Sequence, residues 1–173
     1  MNQIKAVIFD WAGTTVDFGC FAPVKAFMRI FKDQGIDLTA QEVRIPMGMA
    51  KKDHIRAIMG FPRITRLWHE RFGTGWTEAD VAALYAEFEP YLMATLGGYA
   101  EVLDGVIETC EWLRGKQIKI GSTTGYTREM MTVVCREAGR QGYEPDTVVT
   151  SDMTDGRGRQ GPEMMFKNME LWG

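Results

Sequence analysis

Residues 6–17, reading AVIFDWAGTTVD, constrain the chain more than any other stretch. An apolar run of β-branched and aromatic residues, Ala6-Val7-Ile8-Phe9, ends abruptly in Asp10. Such a run, bounded by polar residues, predicts a strand buried on both faces. Asp10 then stands at the strand's carboxyl end, where open α/β sheets place their ligand sites. Gly13, Thr14 and Thr15 follow and suit a tight loop that presents N–H groups and hydroxyls to an anion. An ordinary Asx turn after a strand is the competing reading of so short a segment.

The remainder of the chain predicts what this strand belongs to. With 173 residues, 45% hydrophobic and 25% charged, the sequence supports one folded domain and a small insertion. A net charge of −3 gives no basic surface for nucleic acid or an anionic membrane. No apolar run reaches the ~20 residues of a membrane span. The amino terminus lacks the layout of a secretory signal. Cys20, Cys110 and Cys135 are widely spaced, with no CxxC and no zinc pattern. They are expected as reduced thiols in a cytoplasm.

From about residue 20 to 97 every apolar pattern has helical period. Val24, Phe27, Met28, Ile30 and Phe31 share one face, and Pro23 suits an early helical position. A short helix over residues 40–44 is stopped by Pro46. The stretch from Met47 through His54, Ile55, Ile58 and Met59 predicts a helix ended by Gly60-Phe61-Pro62. Ile64, Leu67, Trp68 and Phe72 mark another. Thr77 predicts an N-cap for a helix buried through Val81, Leu84, Tyr85, Phe88 and Leu92. Gly97-Gly98 reads as a hinge. Alternation then resumes: a helix with Val102, Val106, Ile107, Cys110 and Leu113; a strand over 118–123; a helix over 127–140; a strand over 147–150; a helix over 162–171. Strands alternating with helices predict a parallel sheet with right-handed crossovers.

An apolar strand followed by D-x-x-G-T-x-x-D resembles the first motif of the haloacid dehalogenase superfamily. Three longer strings are similar to one family within it, the phosphonatases or phosphonoacetaldehyde hydrolases: DWAGTTVD at 10–17, PMGxxKxDH at 46–54, and IGSTTGYTREMM at 120–131. The resemblance implies a haloacid-dehalogenase-like, Rossmann-type α/β core over residues 1–18 and 99–173. An all-helical cap domain would be inserted at 19–98. It implies a homodimer formed through the cap, and hydrolysis of a small phosphonate substrate, phosphonoacetaldehyde, to acetaldehyde and phosphate. Asp10 would be the nucleophile toward phosphorus, and would hold Mg²⁺ with the backbone carbonyl of Ala12. Lys51 would form an imine with the substrate aldehyde. Met47 would stand beside it, Cys20 would lie near the cap–core junction, and Gly48, Thr124, Gly125 and Tyr126 would line the substrate pocket. Thr124 supplies a hydroxyl to the phosphonate in this scheme.

The residues themselves agree with that chemistry. A phosphatase working on an oxygen ester benefits from an acid for its leaving group. Most phosphatases of the superfamily carry a second Asp two residues after the first, and here that position is Ala12. A P–C bond instead leaves a carbanion, which needs an electron sink such as a protonated imine. An amine nucleophile must be partly neutral near pH 7, and desolvation under a closed cap would lower its pKa. His54, three residues after Lys51, shares its helix face and could carry protons in imine formation. Lys52 is the rival amine. A lysine pair on a helix is most often solvated, and register in the motif favours Lys51.

Toward the C-terminus the resemblance calls for an arginine on the phosphonate. Counting back from Phe166-Lys167-Asn168 assigns Arg159, with Arg157 as the alternative and Gln160 in place of an expected proline. The superfamily's acidic fourth motif, G-D-x-x-x-D, has no counterpart before Gly173. The expectation is a core incomplete at its C-terminal side and weak catalysis by this chain. A sugar- or glycolate-phosphate phosphatase of the same superfamily, and a non-catalytic ligand-binding protein, are the rival readings. Ala12 argues against the first.

Overall fold

The computed structural model describes residues 4–18, 20–154, 157 and 161–173. Among them three strands form one parallel sheet in the order β1-β2-β3: β1 (Ala6–Asp10), β2 (Lys119–Thr123) and β3 (Thr147–Val149). Five helices lie between β1 and β2 before the returning crossover: α1 (Phe21–Asp33), α2 (Ala40–Arg44), α3 (Lys51–Met59), α4 (Pro62–Phe72) and α5 (Glu78–Leu96). A 3-10 turn, Gly97–Tyr99, leads back to α6 (Val106–Gly115). Then come α7 (Arg128–Arg140), between β2 and β3, and α8 (Glu163–Trp172) after β3. The parallel sheet is the one expected from the alternation, and the helical block between the first two strands is the one that the resemblance implies. No helix among the described residues is long and apolar enough to cross a membrane.

The helical block packs around α5. α5 packs against α1 and α3, and its buried stripe is Val81, Leu84, Phe88, Leu92 and Leu96. Thr77 caps it: its Oγ1 accepts from the Asp80 N–H, and the Asp80 carboxylate takes the Thr77 N–H in return at 2.7 Å. A second capping box, Thr39 with Glu42, starts α2.

Three local departures have physical causes. The expected helix beginning at Met47 starts only at Lys51, because Gly48 adopts φ +96°, a left-handed turn that breaks the helix before it forms. Val102 is not in α6: it bridges antiparallel to Val16, and Gly105 at φ +82° opens the helix after it. β1 is half-buried along its whole length rather than buried on both faces. It lies at the edge of the described sheet, and α8 packs on β2 and β3 instead. Val7 and Phe9 reach the common core, which also holds Trp11, Ile120, Met130, Val134 and Tyr143.

α8 is fixed to the sheet through a buried amide. Asn168 donates to the Ser122 carbonyl at 3.1 Å and accepts the Thr147 hydroxyl at 2.6 Å. A side chain at Gly121 would meet Asn168 Oδ1 and Trp172 at 2.6 Å, so the close approach of α8 requires glycine there.

Candidate active site

Parallel pairing brings the carboxyl ends of the strands to one level: Asp10 is opposite Thr123, and Thr123 is opposite Val149. After Asp10 the chain turns sharply. The Trp11 carbonyl accepts the N–H groups of Thr14, Thr15 and Val16 at 2.9–3.2 Å, and the Gly13 N–H reaches the Val16 carbonyl at 2.7 Å. The loop was expected to offer these N–H groups to an anion, but the left-handed turn at Gly13 (φ +83°) folds the chain onto itself and uses them internally. Thr15 Oγ1 donates to the Asp10 carbonyl at 3.0 Å, which pins the strand end. The Asp10 carboxylate accepts the Trp11 N–H at 2.7 Å.

Cys20 closes this loop from the far side. Its Sγ–H donates to the Ala12 carbonyl at 3.0 Å, and a Cβ on Gly13 would stand 2.6 Å from the sulfur. Burial raises the Cys20 thiol pKa above 9.0; the negative charges of Asp17 and Asp10 add to this, and Lys51 and Arg44 oppose it. Cys20 therefore lies between the Asp10 loop and the helical block. Asp17 has a role the sequence reading did not assign. Its two carboxylate oxygens accept the Phe21 and Ala22 N–H groups at 2.9 and 3.0 Å, capping α1. Burial nonetheless raises its pKa above 3.8, outweighing these bonds. An acid four residues before the first residue of α1 was the available signal.

Asp10 and the Ala12 carbonyl are hard oxygen donors on one loop. They suit Mg²⁺, which takes one or two carboxylates and completes its shell with water or substrate oxygens. Among the described residues no group of three or more His, Cys, Asp or Glu converges on a metal-sized space.

From the helical block, Lys51 is the first residue of α3 and is buried, 6% exposed, whereas Lys52 faces solvent. The Lys51 Nζ lies 4.8 Å from the ring centre of Tyr126, which follows β2, and 5.9 Å from that of Phe27 in α1. An ammonium at a helix's first residue stands at the positive end of the dipole, and the ring faces offset part of that. His54, one turn on, is fully buried. Its Nε2 stands 2.8 Å from the Val43 carbonyl, so that nitrogen carries the proton, and Nδ1 is left without a partner. Burial, with the charge of Lys51 adding, pushes the His54 pKa down to about 3. Phe27 stacks on the imidazole at 3.9 Å.

The two halves are in contact. A Cβ on Gly125 would meet the Met49 carbonyl at 2.7 Å and the Gly48 carbonyl at 3.3 Å. Met47, in the same loop, packs on the common core. Thr124 is buried, and its Oγ1 accepts the Tyr126 N–H at 3.2 Å, so its own O–H is left to donate elsewhere. Burial holds the Tyr126 phenol well above 10, so it stays protonated. The structure thus gathers Lys51, His54, Gly48, Gly125 and Tyr126 at one junction, with Cys20 linking it to Ala12 and the Asp10 loop. Arg159 lies outside the described residues. Arg157 is exposed and pairs with Glu163 at 3.2 Å.

Residues 4–173 match the model of the haloacid dehalogenase-like hydrolases. The chain is 55% identical over 98% of its length to a phosphonoacetaldehyde hydrolase of Bacillus cereus, and spans 64% of that relative. It is 53% identical over 99% of its length to a bifunctional phosphonoacetaldehyde hydrolase/aminoethylphosphonate transaminase of Clostridioides difficile, spanning 27% of it. Its fold superposes with a TM-score of 0.91 and 40% identity on the crystal structure of a phosphonoacetaldehyde hydrolase-like protein from Oleispira antarctica, over 95% of this chain and 59% of that one. With the parallel sheet, the helical block after β1 and the Asp10 loop in place, this chain belongs to the haloacid dehalogenase-like hydrolases.

Proposed function

We propose that the chain carries the catalytic apparatus of a phosphonoacetaldehyde hydrolase, with residues 19–98 as the cap and the α/β part as the core. The observation that carries the reading is the burial of Lys51 at the junction, against Tyr126, where Lys52 is exposed. The likeness to phosphonoacetaldehyde hydrolases over nearly the whole chain supports it. The Lys51 amine attacks the aldehyde carbon of the substrate, and loss of water gives a protonated imine. The neutral His54, with Nδ1 as its basic atom, takes and returns protons in those steps. The Asp10 carboxylate attacks phosphorus, and the P–C bond breaks with its electron pair passing to the imine as an enamine. Protonation at carbon and hydrolysis release acetaldehyde and restore Lys51. Water then cleaves the aspartyl phosphate to phosphate. Thr124, with Arg159 from outside the described residues, would hold the phosphonate.

A divalent cation, Mg²⁺ in this proposal, would be held by Asp10 and the Ala12 carbonyl. When bound it offsets the negative charge that Asp10 meets on the phosphonate. The three free thiols suit a cytoplasmic setting, and Ile45, Phe72 and Tyr91, exposed on the helical block, suit a homodimer through the cap.

Borohydride reduction with acetaldehyde tests the reading. Adduct mass should appear on the peptide containing Lys51 and vanish in Lys51→Arg. Adduct on Lys52, or undiminished in the variant, overturns the assignment. Asp10→Asn should abolish phosphate release from phosphonoacetaldehyde and leave trapping at Lys51 within about twofold. Loss of both would give Asp10 a folding role instead.

A further inference from the structure

Phe27 lies on α1, outside every motif that the chemistry above uses, yet its ring stacks on His54 and faces the Lys51 ammonium within cation–π range. It stacks on the His54 imidazole with ring centres 3.9 Å apart and planes 28° from parallel. The Lys51 Nζ is 5.9 Å from the same ring. Phe88 of α5 stacks behind it at 4.4 Å, and Phe27 and Phe88 are both fully buried. The imidazole is thus held at one nitrogen by the Val43 carbonyl of α2 and on one face by Phe27. α3 itself supplies the charge of Lys51, and the described groups that α1, α2 and α5 bring to this spot are two rings and a carbonyl. The unpartnered Nδ1 is an acceptor kept from water in a neutral ring.

We propose that Phe27 is a positioning residue for imine formation: its ring holds the His54 imidazole dry, in the tautomer whose Nδ1 is the free base, beside Lys51. The proposal rests on the imine reading given above. Without the ring, water reaches the imidazole, desolvation is relieved, and the base is lost to protonation on mildly acidic solution. A purely structural core phenylalanine would lower stability without changing the state of one histidine.

The chain has two histidines, His54 and an exposed His69, so ¹⁵N-imidazole spectra read the one against the other. Spectra between pH 4 and 8 are recorded for the unsubstituted chain, Phe27→Leu, Phe27→Met and Phe27→Tyr, with circular dichroism to select folded variants. The rate of borohydride-trapped acetaldehyde adduct on Lys51 is measured beside them. Unsubstituted, His54 stays in the Nε2–H form throughout. In Phe27→Leu or Phe27→Met it begins to titrate within the window and trapping slows about tenfold at the acidic end of it; Phe27→Tyr, which keeps the ring, restores both to within about twofold. A folded ring-less variant with unchanged His54 spectra and unchanged trapping overturns the proposal alone. Absence of any Lys51 adduct in the unsubstituted chain overturns the imine reading, and this proposal with it.

Discussion

Gly125 bears the geometry of closure on a single missing atom. Its backbone is not in the left-handed region, so alanine is conformationally acceptable there. What forbids a methyl group is the loop before α3, with the Met49 carbonyl 2.7 Å from where the Cβ would sit. Gly125→Ala should therefore leave core stability almost unchanged and hold the loop away from Tyr126. Lys51 then gains water, and trapping with acetaldehyde should fall at least tenfold, with thermal midpoint moving little. A variant that traps at the unsubstituted rate would show that the loop gives way freely. Sequence alone placed Gly125 in the substrate pocket by resemblance, and could not see this contact because its partner lies 76 positions earlier in the chain. The choice between Lys51 and Lys52 was likewise open on periodicity, since adjacent positions on a short helix differ only in which neighbour buries them. Phe27 was read correctly as apolar-face residue, but its stack on His54 depends on the crossing of α1 and α3.

At the scale of elements, the helical periods and caps were legible because they are local. Thr77 and Asp80 satisfy each other within one turn, and of the residues predicted for the α5 face Val81, Leu84, Phe88 and Leu92 are buried, while Tyr85 is half-buried with its hydroxyl donating to Glu89. The start of α3 was not legible, because Gly48 in a left-handed turn looks, in sequence, like any tolerated glycine. The α2 start illustrates what such local ties contribute. Glu42 takes the Thr39 N–H at 2.9 Å and the Arg63 guanidinium through both oxygens at 2.6 and 2.7 Å, binding α2 to α4. The Arg63 guanidinium holds the Glu42 carboxyl well down, at about 2. A carboxyl depressed in the folded state stabilises above its unfolded value and loses that contribution as pH falls toward the folded one. The window therefore runs from about 4.5 down to about 2. Glu42→Ala should cost about 1–2 kcal/mol at pH 7, combining a lost cap and a partly exposed ion pair. The cost should shrink as pH drops through that window. Urea unfolding at pH 7 and pH 3 measures it; an equal loss at both would assign the effect to helix propensity rather than charge.

At the scale of the molecule, the sheet order decides how firmly the strand that carries Asp10 is held. β2 lies between its neighbours, with Ile120, Gly121, Ser122 and Thr123 buried, and α6 and α8 both pack on it. β1 pairs on one side only among the described strands, and Ile8, unlike Val7 and Phe9, is not part of the packed core. An edge with unpaired backbone groups opens locally more often than a central strand, and it is a template for another strand. The continuous apolar run in residues 6–9 made the strand legible, but burial on both faces does not follow from composition when position in the sheet is unknown. Two outcomes are expected of the 173-residue chain. Amides of β1 should exchange with solvent deuterium at least a hundredfold faster than those of β2, measured by peptide-level mass spectrometry at neutral pH. Sedimentation should show mass rising with concentration, and added salt should not abolish it, since pairing runs through backbone groups rather than charge. Because Asp10 ends β1, any ligand that engages its carboxylate and the Thr124 hydroxyl together would tie β1 to the loop after β2. Inorganic phosphate with millimolar Mg²⁺ should then slow β1 exchange more than it slows exchange in α4, which packs against α3. Equal protection of β1 and β2 in the ligand-free chain would mean that the strand is covered in solution, and would remove the reason to expect either self-association or ligand-dependent tightening.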